Sequence, residues 1–310
     1  MILTITLNTS IDKAYRLLGP LAGGTVMRVA ACSDSAGGKG LNASRAVAAC
    51  GEEVCATGFV GGHNGALLCE LLAQDGIPER FVRVASETRC CVNVLEPDGR
   101  STEFLEPGRP VTAQELDELL ELVDGLAAEA DVVTMSGSIP AGLDTDTWRR
   151  LAERVGARGV PVVLDTSGDG LLHGIDALPC AIKPNTDEIA QVVGHHIRST
   201  EDVCAAARGL HERGIPNVIV SLGAGGAILA CDEGTFLGRA PVVKAVNPVG
   251  SGDTMVGAFA VAIARGMDAA ERLRFAMSRA TANCLSPQTG RFDADVADEL
   301  LAETTIGNMD

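Results

Sequence analysis

The stretch Asn247-Pro248-Val249-Gly250-Ser251-Gly252-Asp253-Thr254 decides how the rest of this chain is read. It feeds the apolar run 255–265, whose spacing predicts a helix. A glycine-rich turn at a helix N-terminus presents N–H groups that lack intrahelical partners, at the positive end of the helix dipole. Such a turn is an anion hole, suited to charge developing on a transferred phosphoryl group. A carboxylate in the same turn repels phosphate. The two fit together if Gly250, Ser251 and Gly252 face the phosphate while Asp253 faces an acceptor hydroxyl as general base. The competing reading makes Asp253 a helix cap, worth about 0.5–2 kcal/mol.

Outward from this turn, short β-rich apolar runs alternate with amphipathic helical patterns. Residues 2–7, 54–60, 132–135, 160–164, 181–182 and 218–222 read as buried strands, and 113–128, 146–157 and 200–213 as helices. Strands joined by helices of this length imply right-handed crossovers and a mostly parallel sheet covered on both faces, an α/β fold. Residues 253–301 read as helices, and those after 304 as frayed. Two more polar stretches, 12–35 and 88–106, break the rhythm with strand-like runs at 26–32, 90–95 and 102–105. Pro97-Asp98-Gly99 is a hairpin turn between two of them. They predict a small β-sheet lid or dimer contact on a single domain spanning 1–310.

Composition removes several classes of partner. With 25 basic against 41 acidic residues the net charge is −16, which disfavours a nucleic-acid backbone or an anionic membrane. Aromatic residues make up 3%, with one Trp and one Tyr, too few for stacking platforms. No apolar run approaches the roughly 18 residues of a membrane span. The ten cysteines form no CxxC pair and mostly sit in apolar runs, so reduced thiols and a cytoplasmic location are expected.

The second motif is Ala36-Gly37-Gly38-Lys39-Gly40-Leu41-Asn42, again leading toward a helix. Its glycines permit close backbone approach to a ligand, Lys39 supplies a positive charge, and Asn42 offers two-way hydrogen bonding. The run also fits the GxGxxA dinucleotide pattern. Against that, no clear strand enters it, and the position about 20 residues on is Gly58 rather than an acid. A Walker A sequence is absent, because Gly follows Lys39. Further groups fall at expected strand ends: Asp165, the Lys183-Pro184-Asn185-Thr186-Asp187-Glu188 segment, and the Ser221-Leu222-Gly223-Ala224-Gly225-Gly226 turn. Ligands of open α/β sheets sit outside the carboxyl ends of strands. Asp165 and Glu188 suit Mg²⁺ held largely through water, although each of these groups also reads as a cap or turn residue. His63, His195 and His196 read as loop residues, and Cys90-Cys91 has no local base.

These motifs, in this order and over essentially the whole chain, resemble the PfkB-type carbohydrate kinases of the ribokinase-like superfamily. Gly37 to Asn42, Ser136-Gly137-Ser138-Ile139-Pro140, the NxxE pattern of Asn185 and Glu188, Ser221-Leu222-Gly223 and Asn247 to Asp253 carry the resemblance. Lys39 and Arg89 resemble the hexose-phosphate branch that includes tagatose-6-phosphate kinase and 1-phosphofructokinase. The resemblance implies a three-layer α/β/α core with a β lid, ATP and Mg²⁺ as cofactors, a sugar-phosphate substrate, and a homodimer through the lid. It implies Asp253 as catalytic base, with Gly250, Ser251 and Gly252 as anion hole. Asp12, Gly38 and Asn42 would meet sugar hydroxyls; Lys39, Arg89 and Ser138 the acceptor's phosphate, with Arg28 reaching it from a partner subunit. Lys183, Asn185, Ser221, Gly223, Gly226 and Asn283 would hold the nucleotide, and Asp165 and Glu188 the metal. The chain departs from the pattern at Cys90-Cys91, where relatives usually carry an Asn; Asn93 is a candidate substitute. Thr9 and Thr254 are mild departures. Tagatose 6-phosphate is the first expectation and fructose 1-phosphate the second. An uncharged-sugar kinase and a non-catalytic sugar-phosphate sensor stand as alternatives.

Overall fold

The computed structural model describes residues 1–309. Its first strands are β1 (Ile2–Thr6), β2 (Ser10–Leu17), β3 (Val29–Gly37), β4 (Val54–Gly61), β5 (Glu79–Val84), β6 (Arg89–Leu95) and β7 (Ser101–Leu105). Then follow β8 (Val132–Ser136), β9 (Val162–Asp165), β10 (Ala181–Ile182), β11 (Asn217–Ser221), β12 (Ala227–Cys231), β13 (Gly234–Arg239) and β14 (Thr305–Asn308). The helices are α1 (Lys39–Ala49), α2 (Gly62–Gln74), α3 (Ala113–Ala127), α4 (Thr147–Gly156) and α5 (Gly168–Gly174). They continue with α6 (Thr186–Val193), α7 (Thr200–Glu212), α8 (Ser251–Ala264), α9 (Ala269–Leu285) and α10 (Ala294–Glu303).

Ten strands form one sheet in the order β14-β13-β12-β11-β10-β9-β8-β1-β4-β5. It is parallel from β11 to β5 and antiparallel from β11 outward to β14. The strands read as continuous apolar runs because both faces are covered. Alternate residues of β1, β8, β9 and β10 divide between two cores. Leu3, Val133, Leu164 and Ile182 meet α3, α4, α6 and α7 through Leu119, Trp148, Ile189 and Leu210. Ile2, Val132, Val163 and Ala181 meet α1, α8 and α9 through Leu41, Phe259 and Met277. This is the expected three-layer α/β/α fold. A separate four-stranded sheet, β3-β2-β6-β7, is built from the two polar stretches.

Three expectations are corrected. Residues 305–308 are not frayed: β14 pairs antiparallel with β13, Phe236 opposite Asn308. That edge strand is held by backbone pairing and is mostly exposed, so it carries no apolar run. A strand does enter the Gly37-Gly38-Lys39-Gly40 motif, since β3 runs directly into it. Its residues up to Ser35 are exposed, and Ser33, Asp34 and Ser35 show no buried alternation. Unlike a dinucleotide-binding strand, β3 belongs to the small sheet and lies antiparallel to β2. His63 lies in the first turn of α2 rather than in a loop.

Candidate active site

The motif that opened the sequence reading becomes the start of α8. Gly250 precedes the helix in a left-handed conformation, φ 80°. A side chain there would be strained, and its Cβ would lie 2.4 Å from Thr289 Cγ2. No side chain caps α8 among the described residues; the Ser251 N–H leans on the Pro248 carbonyl at 3.3 Å, a long bond that an anion at the helix start would compete with. Asp253 is not the cap. Its carboxylate accepts a 2.8 Å hydrogen bond from Asn42 Nδ2 on α1. The two helices meet because Gly257 lacks a side chain: a Cβ there would lie 2.5 Å from the Ala43 carbonyl oxygen. Burial pushes the Asp253 carboxyl up to about 6, against the pull of Lys39, with Asp165 raising it and Asn42 and Lys183 lowering it. A carboxyl poised near neutrality, ionised and buried, suits a general base.

Asp165, at the end of β9, is 1% exposed and stands between two ammonium groups, Lys183 Nζ at 3.2 Å and Lys39 Nζ at 3.6 Å. It holds the Lys39 ammonium above the usual lysine range. A cation in direct contact with Asp165 would have to displace a paired lysine from a buried carboxylate, whereas contact through water would not. Glu188 accepts from the Asn185 N–H at 2.8 Å, closing a capping box at α6. Its other oxygen has no such bond, so Glu188 suits contact with a hydrated metal. No group of three or more His, Cys, Asp or Glu that suits direct metal ligation occurs among the described residues.

A cavity of about 660 Å³ opens between the small sheet and the carboxyl end of the large one. Asp12, Gly38, Lys39, Asn42, Arg89 and Ser138 all line it. Asp12 Oδ1 accepts from Ser10 Oγ at 2.6 Å. Burial raises its carboxyl, with Ser10 and then Arg89 opposing. The Arg89 guanidinium is aimed by two backbone carbonyls, Glu106 O at 2.7 Å and Asn8 O at 3.1 Å. Ser138 Oγ accepts from Asn8 Nδ2 at 3.0 Å. Cys91 stands opposite Asp12 in register and lines the cavity with Asn93, whose Oδ1 accepts from Ser101 Oγ at 2.6 Å. Arg28 is exposed and lies outside the cavity.

The remaining predicted residues gather beyond the cavity wall. Lys183 and Asn185 follow β10, while Gly223 and Gly226 follow Ser221 at the end of β11. The Ser221 N–H donates to the Pro184 carbonyl at 3.0 Å, tying the two strand ends together. Asn185 Oδ1 accepts from the Asp187 and Glu188 N–H groups at 2.9 and 2.8 Å. Asn283 is fully buried; its Nδ2 donates to Val249 O at 3.0 Å and its Oδ1 accepts from the Gly290 N–H at 2.8 Å. Both bonds shape the loop before α8.

Two site residues were missed in the sequence. Asn8 aims Ser138 and lines the cavity. Arg45 is 6% exposed and donates to Asn42 Oδ1 at 3.0 Å. An arginine on the otherwise apolar face of α1, three residues after Asn42, was the available signal.

The model of the pfkB family of carbohydrate kinases matches residues 4–295. Tagatose-6-phosphate kinase of Staphylococcus epidermidis is 35% identical over 309 residues, covering 99% of each chain. Escherichia coli phosphofructokinase-2, solved in complex with fructose-6-phosphate, superposes with a TM-score of 0.89 at 28% identity, covering 97% of this chain and 98% of that one. A possible 1-phosphofructokinase from Thermotoga maritima does so with a TM-score of 0.91 at 26% identity, covering 100% of both. A match of this extent, on the three-layer fold described above, shows that the chain belongs to the pfkB family of carbohydrate kinases.

Proposed function

We propose that this enzyme transfers the γ-phosphoryl group of ATP to a hydroxyl of a ketohexose phosphate, tagatose 6-phosphate first, giving the bisphosphate and ADP. One observation carries the reading: a single cavity brings Lys39, Arg89 and Asp12 together with Asn42, which bonds the buried Asp253. Lys39 and Arg89 supply fixed positive charge for a phosphate already on the sugar, in a molecule of net charge −16. Tagatose is preferred over other ketoses on the full-length similarity to the staphylococcal enzyme.

Asp12 and Gly38 would hold the sugar so that its hydroxyl meets Asp253. The carboxylate takes the hydroxyl proton while the oxygen forms a bond to the γ-phosphorus. The bond from that phosphorus to the β,γ-bridging oxygen breaks, and ADP leaves with the electron pair. The N–H groups of Gly250, Ser251 and Gly252 would hold the equatorial oxygens, with Lys183 and Lys39 adding positive charge. Mg²⁺, carried on the nucleotide phosphates and met through water by Glu188, would supply charge neutralisation. Asn185, Ser221, Gly223 and Gly226 would line the nucleotide's path.

We further propose a homodimer through the small sheet. Leu18, Val26, Phe104 and Leu105 of that sheet and its loop are exposed apolar residues, which a second subunit would cover. Arg28 of the partner subunit would then reach the acceptor phosphate. Fructose 1-phosphate is the second reading, supported by the superposition on the possible 1-phosphofructokinase of Thermotoga maritima.

The test is coupled ATP consumption with Mg²⁺ and four acceptors: tagatose 6-phosphate, fructose 1-phosphate, fructose 6-phosphate and free fructose. Preference of about tenfold or more in kcat/KM for one phosphorylated ketose supports the reading and identifies the acceptor. Turnover of free fructose alone removes the phosphate-binding role of Lys39 and Arg89, and no turnover at all moves the sensor reading to the front.

A further inference from the structure

Arg45 is a cation sealed in the wall of the site. It is 6% exposed, and each arm of its guanidinium has a separate task. Nε donates to Asp75 Oδ2 at 2.6 Å, and Nη2 to the Ala36 carbonyl at 2.5 Å, just before the Gly37-Gly38-Lys39 turn. Nη1 donates to Asn42 Oδ1 at 3.0 Å. On its other side Asn42 donates through Nδ2 to Asp253 Oδ2 at 2.8 Å. Asp75 is gripped a second time, by Arg291, which lines the cavity.

The chemistry of these groups leaves the Asn42 amide one good orientation. A guanidinium only donates, and an ionised carboxylate only accepts. An amide placed between them must turn its oxygen to Arg45 and its NH₂ to Asp253. The reversed amide would set oxygen against carboxylate and NH₂ against guanidinium, two repulsive contacts in a buried place. With Arg45 gone, only the Asp253 contact would still orient the amide, and the Asn42 oxygen would lose its fixed partner.

We propose that Arg45 is a positioning residue of the phosphoryl transfer, holding the Asn42 amide in the orientation that donates to Asp253 and so aims the base. The proposal rests on the kinase reading above. Arg45 borders the cavity but bonds Asp253 only by way of Asn42, and it acts through that amide. Its other two bonds keep the guanidinium from turning, and the Asp75–Arg291 contact extends that brace to the cavity rim.

The experiment measures kcat and both KM values for the wild type, Arg45→Met, Arg45→Lys, Asn42→Ala and the double variant Asn42→Ala/Arg45→Met. Arg45→Met is expected to lower kcat roughly ten- to hundredfold, the scale of a misaimed catalytic group, with the KM for ATP within about twofold. Arg45→Lys, which keeps one donor, is expected to recover part of that loss. The double variant is expected to be no slower than Asn42→Ala, because the residue through which Arg45 acts is already gone. An equal fall in kcat on adding Arg45→Met to the wild type and to Asn42→Ala, or no fall in the wild type, overturns the proposal and assigns Arg45 to the fold alone. Should the Arg45 variants not fold, Asp75→Asn takes their place. It loosens one arm of the guanidinium and is expected to give a smaller loss in kcat that vanishes in the Asn42→Ala background. A loss that persists there, or none at all, overturns the proposal. A wild type without turnover on any acceptor overturns the kinase reading and this proposal with it, whereas an active wild type with additive variants overturns this proposal only.

Discussion

Asp253 is held in its charged form against the preference of its surroundings. Its carboxyl rises from 3.8 to about 6 because burial outweighs the attraction of Lys39 and Lys183. The folded state therefore binds the proton more tightly than the unfolded chain does. The stability this contributes is fully present below the unfolded value near 3.8 and is lost as pH rises through about 6. The difference is worth about 3 kcal/mol at most. Asp253→Asn is expected to melt a few degrees higher than the wild type at pH 8, with a smaller gain at pH 4, as differential scanning calorimetry would record. The same substitution should lower kcat by about a thousandfold or more while ATP affinity changes only a few-fold. In the wild type, kcat/KM should rise with pH through about 6 as the base ionises. A D253N variant with near-normal kcat would remove Asp253 from the chemistry. Lys39→Ala and Arg89→Ala test the other wall of the site: each should raise the KM for the sugar phosphate at least tenfold more than that for ATP. An unchanged sugar-phosphate KM would refute the role given to that side chain.

Between elements, the contact of α1 with α8 matters most, since it carries Asn42 to Asp253. It depends on Gly257, where a Cβ would lie 2.5 Å from the Ala43 carbonyl and 3.0 Å from the Ala46 Cβ. Gly257→Val should force the helices apart, at about 1–3 kcal/mol of stability by urea denaturation. If that contact aligns the base, kcat should fall more than the KM for ATP, and equal changes in both would argue against it. The strand ends obey the same logic. Asp165 and Ser221 end β9 and β11 and Lys183 directly follows β10, neighbours in the sheet, so parallel pairing brings them together. Capping boxes start α3, α6 and α9, formed by Thr112 with Glu115, Asn185 with Glu188 and Asp268 with Glu271. Of these, Asn185 and Glu188 were also read as ligand residues, because a cap and a ligand group have the same sequence pattern.

At the scale of the whole molecule, the small sheet lies over the cavity and contributes Asp12, Arg89, Cys91 and Asn93 to it. Bound sugar phosphate should bridge that sheet and the core, so limited proteolysis within 88–106 should slow when substrate is added. Equal cleavage with and without substrate would separate the sheet from closure. The exposed apolar side chains of Val26 and Phe104 make a second prediction. Val26→Asp with Phe104→Asp should shift the chain to monomer in analytical ultracentrifugation and raise the KM for the sugar phosphate several-fold, through loss of Arg28 of the partner subunit. A wild type that is already monomeric would refute the dimer.

The sequence alone determined the α/β class, the two-faced sheet and the two glycine-rich turns. Each of these is a local pattern: apolar runs of strand length, helical spacing, and glycines before a helix. It also supplied the residue types of the site, because few side chains suit a base beside an anion hole. What only the tertiary structure decided were the relations between distant segments. Asp165 is divided between Lys39 and Lys183, residues 126 and 18 positions away. Asn283 spends its amide on the loops at Val249 and Gly290, and Arg45 locks an amide that faces Asp253 from another helix. The edge strand β14 was hidden, and β3 was read only over 26–32, short of the glycine motif it enters, since backbone pairing holds both and leaves little mark on side-chain pattern. Local sequence encodes which groups are present; the partner that satisfies each buried polar group is chosen by packing, because an unpaired charge in the interior is too costly to leave alone.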